Sequence, residues 1–454
     1  MNHSIFYQQQ DSEKHSQLII QGGTPLSGVV RLGGAKNASY KLMIASIMAE
    51  GRSCLLNLPD IEDVKRVACV IEELGGKVWE AGPKMLFIDA ENIKDFVIDG
   101  RHGRASRAST LFVGPLLAKF GQAKVPIPGG DQIGKRPLDR HLLGLEKLGV
   151  EWVYQDDYLI LHTDHLVGAH YKFAKNTHTG TETLIMAAVL ADGKTVLENA
   201  ALEPEVDDLI QFLNDMGAKI KRTEHRVIEI EGVKKLHGAI HRVMPDRNEA
   251  VSYACAALVT KGDVIIENAD YQDISAFVDK VIEMGAGYEA DKYGVRFFYQ
   301  KPLLATNITT SIHPGFMTDW QPLFAILLTQ AKGKSIIHET VMQNRFQYMA
   351  DLNKMGADIK PINIEVDNPN EFYNFNWSDD QASDLHAVEI NGPTNFVGGE
   401  FTVCDLRAGA TILLAAISGS GTTVLNNVNL IDRGYERIDK KLSSLGANII
   451  RQEI

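Results

Sequence analysis

Cysteine and long apolar runs are both scarce in this chain of 454 residues. The four cysteines lie far apart, with no CxxC pair and no zinc-type spacing, at Cys54, Cys69, Cys255 and Cys404. Scattered cysteines in apolar surroundings are typical of core thiols in a reducing compartment. No apolar run approaches the ~18 residues of a membrane span, and residues 1–14 lack the apolar segment of a secretory signal. We therefore expect a cytoplasmic protein.

Positive charge is also in deficit, with 46 basic against 58 acidic residues and a net charge of -12. A general nucleic-acid binder usually has a basic face, so we expect no nucleic-acid partner, although a local basic pocket remains compatible. The chain has no GxxxxGK[ST], HExxH or GxSxG motif and no metal-like histidine cluster. What remains is a group transfer without metal or cofactor, carried out by Lys, Arg and Asp side chains.

What the chain does contain is an internal repeat. Six times, a helix-like segment ends in Leu-Gly or Met-Gly before an extended segment, with the glycines at Gly75, Gly149, Gly217, Gly285, Gly356 and Gly446. Glycine just past a helix end is the usual left-handed cap. The first four intervals are 74, 68, 68 and 71 residues, and the last is 90. We assign the extra length to residues 367–386, a polar and aromatic stretch that we expect to be a surface excursion.

A second glycine precedes each of these caps, at Gly51, Gly121, Gly193, Gly262, Gly333 and Gly421. A dense apolar segment comes before it and a β-branched run usually follows, which predicts a buried helix and then a strand. Each repeat is therefore predicted to run strand, buried helix, strand, amphipathic helix, strand, in an α/β fold. Domain-size statistics favour two domains of three repeats over one ring of six.

A charged residue stands at the start of most of the buried helices. The equivalent positions are Lys36, Arg107, Gly180, Arg247, Asp319 and Arg407. Lys or Arg at a helix N-terminus opposes the helix dipole unless an anion is bound nearby. A capping or surface charge explains any one of them. Their repetition favours a cationic cleft for a phosphorylated or carboxylated small substrate.

Two loops and one acid add to this pattern. Residues 129–137 (GGDQIGKRP) combine glycines with basic side chains, which fits an anion site and a surface turn equally well. Residues 431–437 (IDRGYER) fit either an anion site or a salt-bridged helix start. Asp319 is compatible both with a helix N-cap and with a general base.

Nine motifs resemble, in order, those of the enolpyruvyl transferases. They are GGAKNAS (33–39), SRAST (106–110), PGG-IG-RP (128–137), ENAALEPE (198–205), PDR (245–247), HPGFMTD (313–319), QNRF (343–346), DLRA (405–408) and IDRGYERI (431–438). The resemblance implies a two-domain inside-out α/β barrel of six βαβαββ-type units. It implies a first domain at 36–244, with a mobile lid loop around 128–137. The second domain is then 1–35 together with 245–454, so that it contains both termini.

The resemblance also implies a reaction. The family moves the enolpyruvyl group of phosphoenolpyruvate to an acceptor hydroxyl by addition and elimination, releasing phosphate. The shikimate branch is expected to carry Lys-Ser where this chain has Lys36-Asn37. This difference favours the 3′-hydroxyl of UDP-N-acetylglucosamine as acceptor, in the first committed step of peptidoglycan precursor synthesis. No membrane partner is implied.

The family's site residues can be matched to positions in this chain. By that match Lys36, Arg136 and Arg433 hold the phosphate and carboxylate of phosphoenolpyruvate, and Arg345 and Arg407 are further anion contacts. Asp319 is the candidate base on the sugar hydroxyl. The implied nucleotide-sugar contacts are Asn37, Arg107, Arg136, Pro137, Leu138, Asp139, Arg140, Thr177, Thr179, Asp319 and Val341. Residues 175–180 (KNTHTG) are one residue longer than the family's stretch, which leaves the register of Thr177 and Thr179 open.

One position departs from the family pattern. Most members carry a cysteine as general acid toward the methylene carbon, and this chain has Asp131 there. A free thiol has a pKa of about 8.5 and a free aspartic acid about 3.9. Asp131 can therefore donate a proton only if burial or a nearby anion such as phosphoenolpyruvate raises its pKa. The antibiotic fosfomycin alkylates the family's cysteine, so the aspartate predicts fosfomycin resistance.

Two functions stay open on the sequence. The matches at Lys36, Asn37, Arg136, Asp319, Arg407 and Arg433 favour an active transferase. The alternative is a UDP-sugar-binding paralogue that is regulatory or acts on a different acceptor. Residues 367–386, the polar N-terminus and the altered 175–180 segment favour this alternative.

Overall fold

The computed structural model describes residues 16–103, 107–127, 135 and 137–454. They fall into two compact units. Unit 1 contains residues 34–103, 107–127 and 137–244, and unit 2 contains residues 16–33, 135 and 245–454. Unit 2 is thus assembled from segments at both ends of the described chain.

The described residues form helices and strands throughout both units. The strands are β1 (Ser16–Gln21), β2 (Ser27–Arg31), β3 (Ala49–Glu50), β4 (Arg52–Leu56), β5 (Lys77–Gly82), β6 (Met85–Asp89), β7 (Gln122–Pro126), β8 (Glu151–Gln155), β9 (Tyr158–His162), β10 (His170–Lys172), β11 (Lys194–Glu198), β12 (Lys219–Glu224), β13 (Val227–Glu231), β14 (Leu236–His237), β15 (Ile240–Arg242), β16 (Asp263–Glu267), β17 (Gly287–Asp291), β18 (Gly294–Phe298), β19 (Ile308–Thr309), β20 (Gly333–His338), β21 (Asp358–Ile362), β22 (Ala387–Gly392), β23 (Glu400–Thr402), β24 (Thr422–Asn426) and β25 (Asn448–Glu453).

The helices are α1 (Lys36–Ser46), α2 (Glu62–Glu73), α3 (Gly100–Gly103), α4 (Val113–Phe120), α5 (Asp139–Lys147), α6 (His178–Ala188), α7 (Pro204–Asp215), α8 (Arg247–Val259), α9 (Ser275–Glu283), α10 (Gln321–Gln330), α11 (Met349–Lys354), α12 (Pro369–Phe372), α13 (Leu406–Ser418), α14 (Asn429–Asp432) and α15 (Ile438–Ser444). Among these described helices, none combines the length and the apolar character that crossing a membrane requires.

Besides the two-stranded sheet β14-β3 of unit 1, the described residues of each unit form three small sheets. Their strand orders are β15-β4-β6-β5, β10-β11-β13-β12 and β7-β9-β8 in unit 1, and β17-β18-β16-β2, β19-β20-β22-β21 and β23-β24-β1-β25 in unit 2. In the four-stranded sheets one edge pair is parallel, as in β10 with β11, and the other pairs are antiparallel, as in β11 with β13. A parallel bridge between Val97 and Lys124 stands at the corresponding edge of the three-stranded sheet. The predicted repeating α/β architecture is confirmed.

The parallel pairs show that two repeats exchange their first strands. In three repeats the paired strands flank the buried helix directly, as β10 and β11 flank α6, β19 and β20 flank α10, and β23 and β24 flank α13. In two others they do not, because β2, which precedes α1, pairs with β16, and β15, which precedes α8, pairs with β4. The periodic sequence did not predict this exchange.

The helices that were predicted to be buried pack on one another within each unit. In unit 1 helix α4 packs against α6, and in unit 2 helices α8, α10 and α13 pack on one another. All thirteen residues of α8 are buried. Fully burying one large apolar side chain contributes about 1.5–3 kcal/mol, so these helices carry much of the favourable free energy of each unit.

The repeated glycines take the backbone conformation expected of helix caps. All six helix-end glycines have positive φ, between 82° and 106°, which confirms the predicted left-handed caps. Five of the six preceding glycines also have positive φ. Gly262 is the exception, because Lys261 adopts the positive φ there. A Cβ on Gly262 would meet the Leu26 carbonyl oxygen at 2.1 Å, so close approach of two backbones accounts for this glycine.

The cysteine prediction is correct at three positions of four. Cys54, Cys69 and Cys255 are buried, free thiols. Cys404 is exposed, so its assignment to the core is wrong. It lies in the short loop between β23 and α13, directly before Asp405, the residue that caps α13.

A histidine between two carboxylates ties β15 to α7 in unit 1. His241 Nε2 lies 2.9 Å from Asp208 Oδ1, and His241 Nδ1 lies 3.3 Å from Asp215 Oδ2. Burial alone would lower the pKa of His241, but the two carboxylates outweigh it and raise the pKa above its ordinary value. The protonated ring therefore makes two charge-assisted contacts.

We expect this cluster to make unfolding depend on pH. Since the folded state raises the pKa of His241, its stabilisation is fully present below about pH 6.5 and is lost as pH rises through the folded-state pKa. His241→Gln is expected to lower the free energy of unfolding by about 1.5–3 kcal/mol at pH 6 and by less at pH 9. Urea midpoints at both pH values measure this. His162→Gln, an exposed histidine beside Asp164, is the matched control. Equal destabilisation at both pH values would contradict a charged His241.

Candidate active site

A cluster of charged side chains in unit 2 surrounds Asp319. Arg345 Nη2 donates to Asp319 Oδ1 at 2.7 Å, and Arg407 Nη2 lies 3.4 Å from Asp319 Oδ2. Both guanidinium groups are almost fully buried, whereas the Asp319 side chain is 24% exposed. The two arginines orient a carboxylate that solvent or a substrate can still reach. Asp319 lies two residues before α10 and does not cap it, which favours the general-base interpretation over the N-cap.

A second set of contacts holds Arg407. Its Nη1 donates to the Tyr435 hydroxyl at 2.7 Å, and that hydroxyl lies 2.8 Å from Ser252 Oγ. The guanidinium also lies over the Tyr435 ring, 5.2 Å from the centroid. Burial opposes the charge of Arg407, but Tyr435 and Asp319 outweigh it and raise its pKa above the ordinary value. Arg407 is thus a fixed, charged group.

The helix starts that carry Arg247 and Arg407 satisfy their backbone N–H groups by aspartate caps. Asp246 accepts from two backbone N–H groups at the start of α8, and Asp405 does the same for α13. These caps also supply the negative charge that the helix dipole favours. A bound anion is therefore not needed at these two helices to offset the unfavourable interaction of each arginine with the helix dipole. Both arginines are buried, so they are not surface charges either.

Glu339 organises the segment next to Asp319, and the sequence argument missed it. This fully buried carboxylate accepts from the Thr310 hydroxyl at 2.8 Å and from the Thr318 hydroxyl at 3.0 Å. It also accepts from the backbone N–H groups of Val341 and Met342, at 2.8 and 3.0 Å. Burial raises the pKa of Glu339, although these donors oppose the rise. An acid directly after the apolar strand β20 is the signal that could have identified it.

Arg433, the other cation predicted in unit 2, is buried and forms the C-cap of α14. Its neighbour Asp432 accepts twice from Arg451, at 2.7 and 2.9 Å. Arg451 also donates to Asp439, so this ion-pair network braces the segment that carries Arg433. Residues 431–437 therefore contain the salt-bridged arrangement, and the anion site stays a prediction.

In unit 1, Lys36 begins α1 and is paired with an acid. Its Nζ lies 3.1 Å from Asp63 Oδ2, with the Asp63 side chain almost fully buried and that of Lys36 13% exposed. Asn37 follows at the second position of α1 and is half-buried. Asp63 was not predicted, because it lies in the first turn of a different helix, α2.

Several predicted nucleotide-sugar contacts of unit 1 lie at the starts of α5 and α6. Arg140 Nη1 donates to the Asn176 carbonyl at 2.9 Å, and His141 Nε2 lies 3.0 Å from Thr179 Oγ1. Burial, followed by the charge of Arg107, lowers the pKa of His141 to about 3, so the ring is neutral near pH 7. Pro137 is exposed, Leu138 is buried, and Asp139 is the first residue of α5.

The altered 175–180 segment forms the start of α6. Thr177 is the N-cap, and its Oγ1 accepts from the Gly180 N–H at 3.2 Å. His178 follows, within 3.1 Å of Glu182 and 2.9 Å of Lys41 Nζ. Lys41 and Glu182 form a buried ion pair at 2.7 Å that joins α1 to α6. This triad was not predicted either.

Two predicted site residues, Asp131 and Arg136, lie outside the described residues. Of the predicted lid, 128–137, only Lys135 and Pro137 are described. Lys135 is described, and its backbone N–H donates to Gln343 Oε1 at 2.7 Å within unit 2. Over the described part of the chain, no group of three His, Cys, Asp or Glu side chains could hold a metal ion. The chemistry supported by these clusters is anion binding and proton transfer.

Sequence comparison identifies relatives along nearly the whole chain. The EPSP synthase (3-phosphoshikimate 1-carboxyvinyltransferase) family model matches residues 20–442. A UDP-N-acetylglucosamine 1-carboxyvinyltransferase from Koribacter versatilis is 38% identical over 438 residues, covering 96% of this chain and 96% of the relative. The protein of the same name from Halothermothrix orenii is 38% identical over 433 residues, covering 95% and 99%.

Solved structures share the fold. The enolpyruvyl transferase NikO from Streptomyces tendae matches with a TM-score of 0.83 at 22% identity, over 97% of this chain and 100% of that one. An EPSP synthase from Acinetobacter baumannii matches with a TM-score of 0.70 at 18% identity, over 96% and 100%. These similarities show that the α/β fold of this chain is that of the enolpyruvyl transferases.

Proposed function

The chain belongs to the EPSP synthase family of enolpyruvyl transferases, and we propose that it transfers the enolpyruvyl group of phosphoenolpyruvate to the 3′-hydroxyl of UDP-N-acetylglucosamine. The relatives at 38% identity carry the name of that activity. The product is the first committed precursor of peptidoglycan. We therefore expect the reaction to take place in the cytoplasm and to influence cell shape and division.

One observation carries the proposal most directly. Asp319 is an accessible carboxylate that two buried arginines hold in place. A carboxylate oriented in this way can accept the proton of a sugar hydroxyl as general base. Arg407 keeps its charge at any physiological pH, because its pKa is raised, and it provides a cation beside the reacting hydroxyl.

In the addition step, the acceptor oxygen forms a bond to C2 of phosphoenolpyruvate while Asp319 takes its proton. The methylene carbon C3 receives a proton from a general acid, for which Asp131 is the candidate. In the elimination step, C3 loses a proton, the bond between C2 and the phosphate oxygen breaks, and the double bond forms again. Lys36, Arg136 and Arg433 bind the phosphate and carboxylate and stabilise the charge of the departing phosphate.

Phosphate release with a panel of acceptors tests this function. The panel contains UDP-N-acetylglucosamine, shikimate 3-phosphate and other UDP-sugars, each with phosphoenolpyruvate. Turnover with UDP-N-acetylglucosamine, and with no other acceptor of the panel, supports the proposal. Turnover with shikimate 3-phosphate would move the chain to the other branch of its family. Binding of UDP-N-acetylglucosamine without phosphate release from any acceptor would favour the non-catalytic paralogue.

Fosfomycin is expected to leave the unmodified protein active. A carboxylate is a much weaker nucleophile toward an epoxide than a thiolate, the reactive form of cysteine. Asp131→Cys should therefore restore time-dependent inactivation, and intact-mass measurement should then detect the covalent adduct. The same variant should shift the basic limb of the rate profile to higher pH, because a thiol loses its proton later than a carboxyl.

Asp131→Asn tests whether the side chain is needed for its acidic proton or only for its size and shape. The amide keeps the size of the side chain but has no acidic proton, so most turnover should be lost. Full activity of this variant, or a fosfomycin adduct on the unmodified protein, would contradict the assignment of Asp131 as general acid.

A further inference from the structure

Residues 367–386, between β21 and β22, contain a small aromatic cluster. Tyr373 stacks on Trp377, with ring centroids 5.0 Å apart, and Phe375 stacks on His386 at 5.3 Å. Tyr373 and Phe375 are buried, although the segment was predicted to be a surface excursion. Burial also raises the pKa of Tyr373. The segment therefore has an ordered interior of its own, which the sequence did not indicate.

This segment, 367–386, packs on the end of β20 and the residues that follow it. The Tyr373 hydroxyl lies 3.0 Å from His338 Nε2, and the His338 ring stacks on Phe372 at 5.2 Å. Two backbone hydrogen bonds extend the contact. Asn374 N–H donates to the Thr340 carbonyl at 2.8 Å, and Glu339 N–H donates to the His386 carbonyl at 2.7 Å. The segment thus holds the backbone on both sides of Glu339.

Glu339 connects this segment to the candidate active site. Its carboxylate binds the Thr318 hydroxyl, next to Asp319, and the backbone N–H of Val341. Four residues after Val341 comes Arg345, which donates directly to Asp319. A shift of the Glu339 backbone would therefore move Thr318 and the segment that carries Arg345, one of the two arginines that orient Asp319. Contacts of this kind, behind the reacting groups, are what keep a site within the geometry that catalysis needs.

We propose that residues 367–386 are a positioning element for the acceptor side of the site, because they hold residues 339–345, and thereby Asp319, where the nucleotide sugar needs them. This inference rests on the proposed function, since it takes Asp319 and Val341 as acceptor contacts. No residue of 367–386 is itself a catalytic residue. Disturbing this segment should therefore weaken binding of the nucleotide sugar and leave binding of phosphoenolpyruvate nearly unchanged.

Tyr373→Ala tests the proposal, because it removes the buried ring that contacts His338 and Trp377. We expect a roughly tenfold rise in KM for UDP-N-acetylglucosamine and a lower kcat, with KM for phosphoenolpyruvate within about twofold of the unmodified protein. Tyr373→Phe keeps the ring and should recover most of the loss. Glu371→Gln, an exposed acid of the same segment, is the matched control and should change neither constant.

Calorimetric titration with UDP-N-acetylglucosamine gives a readout that does not depend on turnover. It separates failure of this inference from failure of the proposed function, which the acceptor panel on the unmodified protein measures. If Tyr373→Ala does not fold, Trp377→Ala supplies the same test, because it removes the ring that stacks on Tyr373. Unchanged affinity for the nucleotide sugar overturns the proposal. An equal rise in KM for both substrates also overturns it, since general loosening of unit 2 would have that effect.

Discussion

Asp319→Asn is expected to lower kcat by about 10²- to 10⁴-fold, the contribution of a well-placed general base. The amide has the size of the carboxylate, and its oxygen can still accept from Arg345, which donates to Asp319 at 2.7 Å. It cannot take the proton of the acceptor hydroxyl. Initial rates of phosphate release, with each substrate varied in turn, measure the loss and assign it to kcat or to KM.

The variant also removes negative charge beside two buried arginines, and this effect must be separated from the loss of the base. Leaving a buried charge without its partner destabilises a protein. The urea midpoint therefore has to be compared with that of Arg345→Lys, which keeps a cation beside Asp319. The pH profile of kcat is the decisive readout, because the limb that reports the base should disappear only in Asp319→Asn. Turnover within about threefold of the unmodified protein would show that Asp319 is not the base.

Lys36→Met should cost about 2–5 kcal/mol of transition-state stabilisation, roughly 30- to 5,000-fold in kcat/KM. Lys36 is largely buried at the start of α1, so an anion bound to its ammonium group would be poorly solvated and strongly dependent on it. Methionine keeps the length of the side chain and removes the charge. Steady-state kinetics with phosphoenolpyruvate as the varied substrate measure the effect.

The pairing of Lys36 with Asp63 requires a control of its own. Lys36→Met leaves the buried Asp63 carboxylate without this partner, so the double variant Lys36→Met/Asp63→Asn should recover stability but not activity. Lys65→Met removes a more exposed lysine that pairs with Asp60 and Glu62, and it should have little effect on turnover. Recovery of turnover in the double variant would mean that Lys36 serves only to neutralise Asp63.

Local physical chemistry explains what could be predicted from the sequence. A glycine after an amphipathic segment marks a left-handed helix cap, and all six such glycines have positive φ. Dense apolar segments predict buried helices, and α8 is buried along its whole length. These features depend on neighbouring residues in the chain, so a periodic pattern records them. The sequence identified Lys36, Arg407 and Asp319 as candidates because they lie in, or just before, the first turn of repeated helices.

The prediction of anion binding at those helix starts was less complete. It compared the charges across the repeats but not the residue before each helix, and Asp246 and Asp405 immediately precede the helices that carry Arg247 and Arg407. These aspartates already satisfy the free backbone N–H groups. The capping residues were visible in the sequence as PDR and DLR. The arginines could therefore have been interpreted as capped helix residues whose side chains point elsewhere.

The sequence by itself determined the period, the helix caps and the buried helices, because each of these is encoded within a few neighbouring residues. For the same reason it could propose the charged residues of the candidate site. Only the tertiary structure decided the exchange of β2 and β15 between sheets, since strand pairing depends on backbone hydrogen bonds between distant segments. It also decided the partners of the site. Lys36 meets Asp63 from another helix, and Arg407 meets Tyr435 from a later segment. Such pairs form when the packed core brings the elements together, and no local pattern records them.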